Sequence, residues 1–126
     1  MLTDLSILWV DDDMEFVEVL ARRFMRRGAR VRICGSAEAC MEAVHNDAPD
    51  LVVTDRMLGG YDGLRLVSRL RDELPDLAVI MLSGYSDEAS IREAMNAGVT
   101  EYVAKPVALA RLEELLVRYS TAVATG

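Results

Sequence analysis

The chain has one histidine, two cysteines and three prolines in 126 residues, and it has no long apolar run. Each scarcity removes a class of function. Cys34 and Cys40 form no Cys-x-x-Cys pair and lie near no histidine that could complete a zinc site, so they read as two reduced, largely buried thiols. The lone His45 reads as a polar residue near a helix end rather than as a catalytic or phosphorylatable group. No stretch reaches the roughly 18 uninterrupted apolar residues of a membrane span. The opening Met1-Leu2-Thr3-Asp4 lacks the basic-then-apolar plan of a signal peptide, so a cytoplasmic location with no membrane partner is expected. Positive charge is short as well: 14 basic against 21 acidic residues give a formal net charge of -7. That balance argues against direct nucleic-acid binding by this domain, because a phosphate backbone calls for a basic face. No Gly-x-Gly-x-x-Gly or Gly-Lys-Ser/Thr loop follows any strand, which removes the usual support for nucleotide binding.

What the chain does have is alternation. Short apolar runs alternate with longer amphipathic stretches, the pattern of strand-helix units and a parallel sheet. Strands are expected near Ser6 to Val10, Arg30 to Cys34, Asp50 to Thr54, Ala78 to Leu82 and Glu101 to Ala104. The first helix, about Met14 to Arg27, turns Val17, Leu20, Ala21 and Phe24 inward and puts Arg22, Arg23, Arg26 and Arg27 on its other side, with Gly28 as its stop. Ser36 caps the second helix and Pro49 follows its end. The third runs from about Leu64 to Leu74, before Pro75. Asp87 caps the fourth, which carries Ile91, Ala94 and Met95 inward and ends at Gly98. The last places Leu109, Leu112, Leu116 and Tyr119 on one stripe. The length suits a single domain, 1–126, with its core over about 5–119 and a tail or the start of a linker over 120–126.

The ends of the strands carry the chemistry. Ile7-Leu8-Trp9-Val10 stops at Asp11-Asp12-Asp13, and Leu51-Val52-Val53-Thr54 stops at Asp55. The fourth strand ends at Ser83 and the fifth at Lys105-Pro106. Ligands of an open parallel sheet bind outside the carboxyl ends of its strands. Four strands thus deliver three carboxylates, a hydroxyl and an ammonium to one rim, and carboxylates crowded there ask for a cation. Asp13 reads as the cap of the first helix rather than as part of this set, and Arg56 as a solvated charge.

These residues, with Asp62-Gly63 shortly after Asp55, resemble the receiver domain of two-component response regulators over about Leu5 to Tyr119. The resemblance implies an α/β, flavodoxin-like, doubly wound sheet of five parallel strands in the order 2-1-3-4-5, with five helices in three αβα layers. It implies that Asp55 accepts a phosphoryl group from a phosphohistidine on a histidine kinase or histidine phosphotransfer protein. Asp12, Asp55 and the backbone carbonyl of Met57 would ligate Mg2+, with Asp11 acting largely through water. Lys105 and Ser83 would hold phosphoryl oxygens, and Lys105-Pro106 is expected to be cis. Ser83 and Tyr102 match the family's switch positions, which remodel the face of the fourth helix, fifth strand and fifth helix. That face is also where a homodimer would form; the downstream effector is not named by the sequence. Met57 and Tyr85 flank the water's approach to Asp55, and their bulk predicts slow self-dephosphorylation. Gly59-Gly60 stands where relatives often carry Pro-Gly, which loosens the loop, and Val107 where phenylalanine is frequent. On this reading the chain is a signalling phosphoacceptor rather than an enzyme. The alternatives are a receiver-like interaction module that is never phosphorylated, against which Asp55 and Lys105 are both present, and a haloacid dehalogenase type of phosphohydrolase. The latter wants Asp-x-Asp, and its second position here is Met57.

Overall fold

The computed structural model describes the backbone of residues 2–125 and the side chains of residues 2–120. In chain order the elements are β1 (Ser6–Val10), α1 (Met14–Met25), β2 (Arg30–Cys34), α2 (Ala37–Asn46), β3 (Leu51–Asp55), β4 (Met57–Leu58), β5 (Tyr61–Asp62), α3 (Gly63–Glu73), β6 (Ala78–Ser83), α4 (Glu88–Ala97), β7 (Glu101–Ala104) and α5 (Leu109–Thr125). Five strands form one parallel sheet in the order β2-β1-β3-β6-β7, while β4 and β5 form a separate antiparallel ribbon. With the ribbon set aside, the main strands stand in the order 2-1-3-4-5.

Strand alternation divides the core into two layers. Leu8, Val10, Val52, Val79 and Met81 face one way, against α2, α3 and α4 side chains that include Cys40, Val44, Leu66 and Leu70. Ile7, Trp9, Val53, Ile80, Leu82 and Val103 face the other way, against Val17 and Phe24 of α1 and Leu112, Leu115 and Leu116 of α5. Every residue of β1 and β3 is buried, as expected of central strands covered on both faces. Cys34 and Cys40 are free and buried, and burial pushes the Cys40 thiol up to about 12.

Several boundaries differ from the sequence reading. α1 ends at Met25 and is capped by Arg26 rather than by glycine; Gly28 follows in the turn, at φ 101°. Ser36 and Asp87 cap α2 and α4 as expected, accepting from the Ala39 and Ser90 N–H groups, and Gly98 closes α4 at φ 109°. Met95 does not turn inward: it is 46% exposed, on the outer side of α4, where Ala94 is the buried residue. The expected tail begins as a continuation of α5 through Thr125, and Gly126 lies outside the described residues. None of the described helices is long and apolar enough to cross a membrane.

Candidate functional site

The carboxyl edge of the sheet gathers the expected residues. Asp55 ends β3, still in register with Leu82, and Ser83 ends β6 opposite Ala104. The Lys105 amide donates to the Ser83 carbonyl at 2.7 Å, which carries the β6–β7 pairing one residue past β7. Asp11, Asp12, Asp55, Met57 and Lys105 line one cleft, with Trp9 and Leu82 among its apolar walls.

Asp55 is 6% exposed and both its carboxylate oxygens are engaged. Oδ1 accepts the Met57 N–H at 3.0 Å and Oδ2 accepts from the Lys105 ammonium. The Lys105-Pro106 peptide is cis, as expected. Ser83 is buried, and its Oγ accepts the Tyr85 N–H at 3.1 Å, which leaves the hydroxyl proton free to donate. Gly63, the first residue of α3, lies so close under Asp55 that a Cβ there would fall on the Asp55 carbonyl and the Arg56 backbone. Its N–H donates to the Arg56 carbonyl at 2.6 Å, closing the ribbon into α3.

Asp13 caps α1, its Oδ1 accepting from Phe16 N–H at 3.3 Å, and its own N–H donates to Asp11 Oδ1 at 2.9 Å. Asp11 is 6% exposed whereas Asp12 faces solvent. Burial, followed by the neighbouring Asp55 and Asp12 charges, raises the Asp11 carboxyl above its ordinary value, with the Asp13 N–H and the Lys105 ammonium opposing it. A nearly buried carboxylate in that condition fits a cation. Among the described residues no group of three or more acidic, histidine or cysteine side chains is placed to hold a metal ion. Mg2+ does not need one, because it is usually bound by one or two carboxylates and keeps several waters.

One residue was misplaced by the sequence. Arg56 is not solvated: its side chain is 11% exposed, with Nη2 3.3 Å from Glu93 of α4 and Nε 3.8 Å from Asp62 of β5. Its guanidinium lies 6.0 Å from the centre of the Tyr85 ring. Burial alone would lower its pKa, but Glu93, Asp62 and the Tyr102 hydroxyl overcome that and hold it above the ordinary value. The Tyr102 hydroxyl donates to the Tyr85 carbonyl, which joins the expected switch strand to the loop after Ser83. Polar residues such as Arg56 carry no local signal of burial; its partners lie 6 to 37 positions away along the chain.

The model of the response regulator receiver domain family matches residues 7–117. The chain belongs to that family. The receiver domain is 36% identical over 104 residues to the photosynthetic apparatus regulatory protein RegA of Rhodobacter capsulatus, covering 82% of this chain and 56% of that protein. It is 38% identical over 107 residues to the transcriptional activator protein PfeR of Pseudomonas aeruginosa, covering 85% of this chain and 35% of that one. It thus spans between about a third and just over half of the length of these relatives. Among solved structures it resembles the receiver domain of NtrX from Brucella abortus, with a TM-score of 0.82, 29% identity and coverage of 91% and 98% of the two chains. It also resembles a Burkholderia pseudomallei response regulator with a phosphorylated aspartic acid, a calcium ion and citrate, at a TM-score of 0.82 and 29% identity, covering 97% and 72%.

Proposed function

We propose that this receiver domain accepts a phosphoryl group on Asp55 from a phosphohistidine donor in a Mg2+-dependent reaction. The donor would be a histidine kinase or a histidine phosphotransfer protein. The observation that supports this most is the Asp55 carboxylate, buried at the sheet edge and held from both sides by the Met57 N–H and the Lys105 ammonium. A carboxylate fixed in this way would hold an oxygen for in-line attack on an incoming phosphorus, and positioning supplies much of the catalysis in phosphoryl transfer. The new phosphorus–oxygen bond forms on Asp55 as the phosphorus–nitrogen bond of the donor breaks and the imidazole leaves.

Asp12, Asp55 and the Met57 carbonyl would hold Mg2+, with Asp11 acting through water, and the ion would neutralise charge on the phosphoryl oxygens. Lys105 would move from the Asp55 carboxylate toward a phosphoryl oxygen as the carboxylate is esterified. The Ser83 proton, free in the resting arrangement, would donate to another. The acyl phosphate would carry about -1.5 to -2 charges where the carboxylate carried one, a change that Ser83 and Tyr102 would translate to the α4, β7 and α5 face. That face would serve the downstream effector or a second copy of the chain. The relatives named above carry regulatory and transcriptional names, so a gene-regulatory output is the reading they support best for a longer protein containing this domain.

Incubation with acetyl phosphate should add one phosphoryl group by intact mass in the presence of Mg2+ and none after chelation. An equal adduct in chelator would contradict the metal dependence. Trp9, fully buried and lining the same cleft, should report Mg2+ binding by a change in fluorescence. Unchanged emission at saturating metal would count against the assigned ligands.

A further inference from the structure

Arg56 adjoins the phosphoacceptor in sequence, yet the site chemistry makes no use of it. Its backbone is fixed: its N–H donates to the Leu82 carbonyl at 2.9 Å and its carbonyl accepts from Gly63. The side chain spans three segments. It reaches Asp62 on the ribbon, Tyr85 in the loop after Ser83, and Glu93 on α4. Its Nη1 is buried and has no hydrogen-bond partner among the described residues. Leaving a buried donor unmatched is costly, and the carboxylates and ring around the guanidinium offset that cost.

Tyr85 is the piece through which Arg56 can act on the site. The Tyr85 N–H fixes Ser83 Oγ at 3.1 Å, and the Tyr85 carbonyl accepts from the Tyr102 hydroxyl. The Arg56 guanidinium lies over the ring of the same residue. A shift of α4 away from the ribbon would break the Glu93 contact and free the Tyr85 loop. The Ser83 hydroxyl would then lose the orientation that leaves its proton for a phosphoryl oxygen.

Building on the phosphoacceptor reading, we infer that Arg56 is a positioning residue: with Glu93 it clamps α4 and the Tyr85 loop to the β4–β5 ribbon, so that Ser83 is preset for the phosphoryl group. The clamp makes the reaction at Asp55 sensitive to anything that engages α4, and it couples the output face to the acceptor before any phosphate arrives. Glu93 is an exposed helix residue, 62% open at its side chain, whose replacement leaves the fold in place.

The test measures the phosphorylation rate with acetyl phosphate at saturating Mg2+ in the parent chain, Arg56→Gln, Glu93→Gln, their double variant, and Glu93→Asp. Arg56→Gln and Glu93→Gln should each react about fivefold more slowly, within the range over which contacting residues couple. The double variant should be no slower than the slower single, and Glu93→Asp, which keeps the carboxylate, should react faster than Glu93→Gln, which a merely structural role would not produce. Glu93→Gln gives the answer even if Arg56→Gln folds poorly. If the parent reacts and Glu93→Gln matches its rate, or if Glu93→Asp is no faster than Glu93→Gln, the clamp is overturned while the phosphoacceptor reading stands. If the parent itself gains no phosphoryl group, both fall.

Discussion

Replacing Arg71 with leucine should destabilise the domain substantially without touching its chemistry. Arg71, on α3, donates from Nε to the Gly98 carbonyl at 2.9 Å, from Nη1 to the carbonyls of Leu74 (3.3 Å), Pro75 (3.2 Å) and Leu77, and from Nη2 to Thr100 Oγ1 at 3.2 Å. Thr100 Oγ1 also accepts the Val79 N–H at 2.9 Å, so one guanidinium ties the end of α3 to the starts of β6 and β7. The exposed Pro75 carbonyl can rehydrate when the arginine is lost, and the 3.3 Å Leu74 contact is the longest of the set. Counting only the contacts to Gly98 and Leu77, at about 1.5 kcal/mol each for a charged donor, gives a loss of about 3 kcal/mol. At about 2.1 cal/mol/K of unfolding entropy per residue, that corresponds to a fall in Tm of about 11 °C. Urea denaturation followed by circular dichroism measures it. Arg71→Lys should recover less than half, because a point ammonium cannot serve both connections at once. The phosphorylation rate of the folded variant should equal that of the parent, since Arg71 stands at the opposite end of the sheet from Asp55. A loss below about 1 kcal/mol, or full recovery with lysine, would refute the reasoning.

Three further outcomes are expected. Because burial and its acidic neighbours raise the Asp11 pKa, the folded chain holds the Asp11 proton more tightly than the unfolded chain does. Its stabilising contribution is therefore present below the ordinary value of 3.8 and is lost as pH rises through the raised value. At neutral pH, Asp11→Asn should melt higher than the parent in chelator and should lose the stabilisation that Mg2+ gives the parent; a lower melting point in chelator would contradict this. Gly63→Ala forces a methyl onto the Asp55 carbonyl and the Arg56 backbone, neither of which can yield. It should cost about 2 kcal/mol or more in chemical denaturation, as overpacking does; a neutral effect would mean that α3 can shift its start. Met57 and Tyr85, each 54% exposed beside the acceptor, should keep water from the acyl phosphate. Their joint replacement by alanine should shorten the lifetime of the phosphoform, and a parent lifetime of only seconds without a phosphatase would refute the shielding.

The central strands were legible because burial on both faces leaves unbroken apolar runs. β1 ends where its run does, and β3 and β6 end one residue past theirs because Asp55 and Ser83 remain in register with their neighbours. The polar rim was legible from the same runs, since each stops at a group that the fold has no apolar use for. The ribbon was not, because two residues on each side give no periodicity, although Gly59 and Gly60 at φ 52° and 83° mark its turn. Arg56 and Arg71 were missed for a common reason: a guanidinium looks solvated until the chain brings distant acceptors to it. The continuation of α5 through Thr125 was missed because small residues such as Ala122 and Ala124 show no amphipathic pattern, although alanine is the strongest helix former.

The most direct test of phosphoacceptance is a comparison of the parent with Asp55→Asn after incubation with phosphoramidate and Mg2+, read by intact mass and by fragmentation of the peptide spanning β3. One phosphoryl group on Asp55 in the parent and none in the variant is the expected result. An unmodified parent, or an equal adduct on Asp55→Asn, would contradict the claim that the carboxylate held between Met57 and Lys105 is the acceptor.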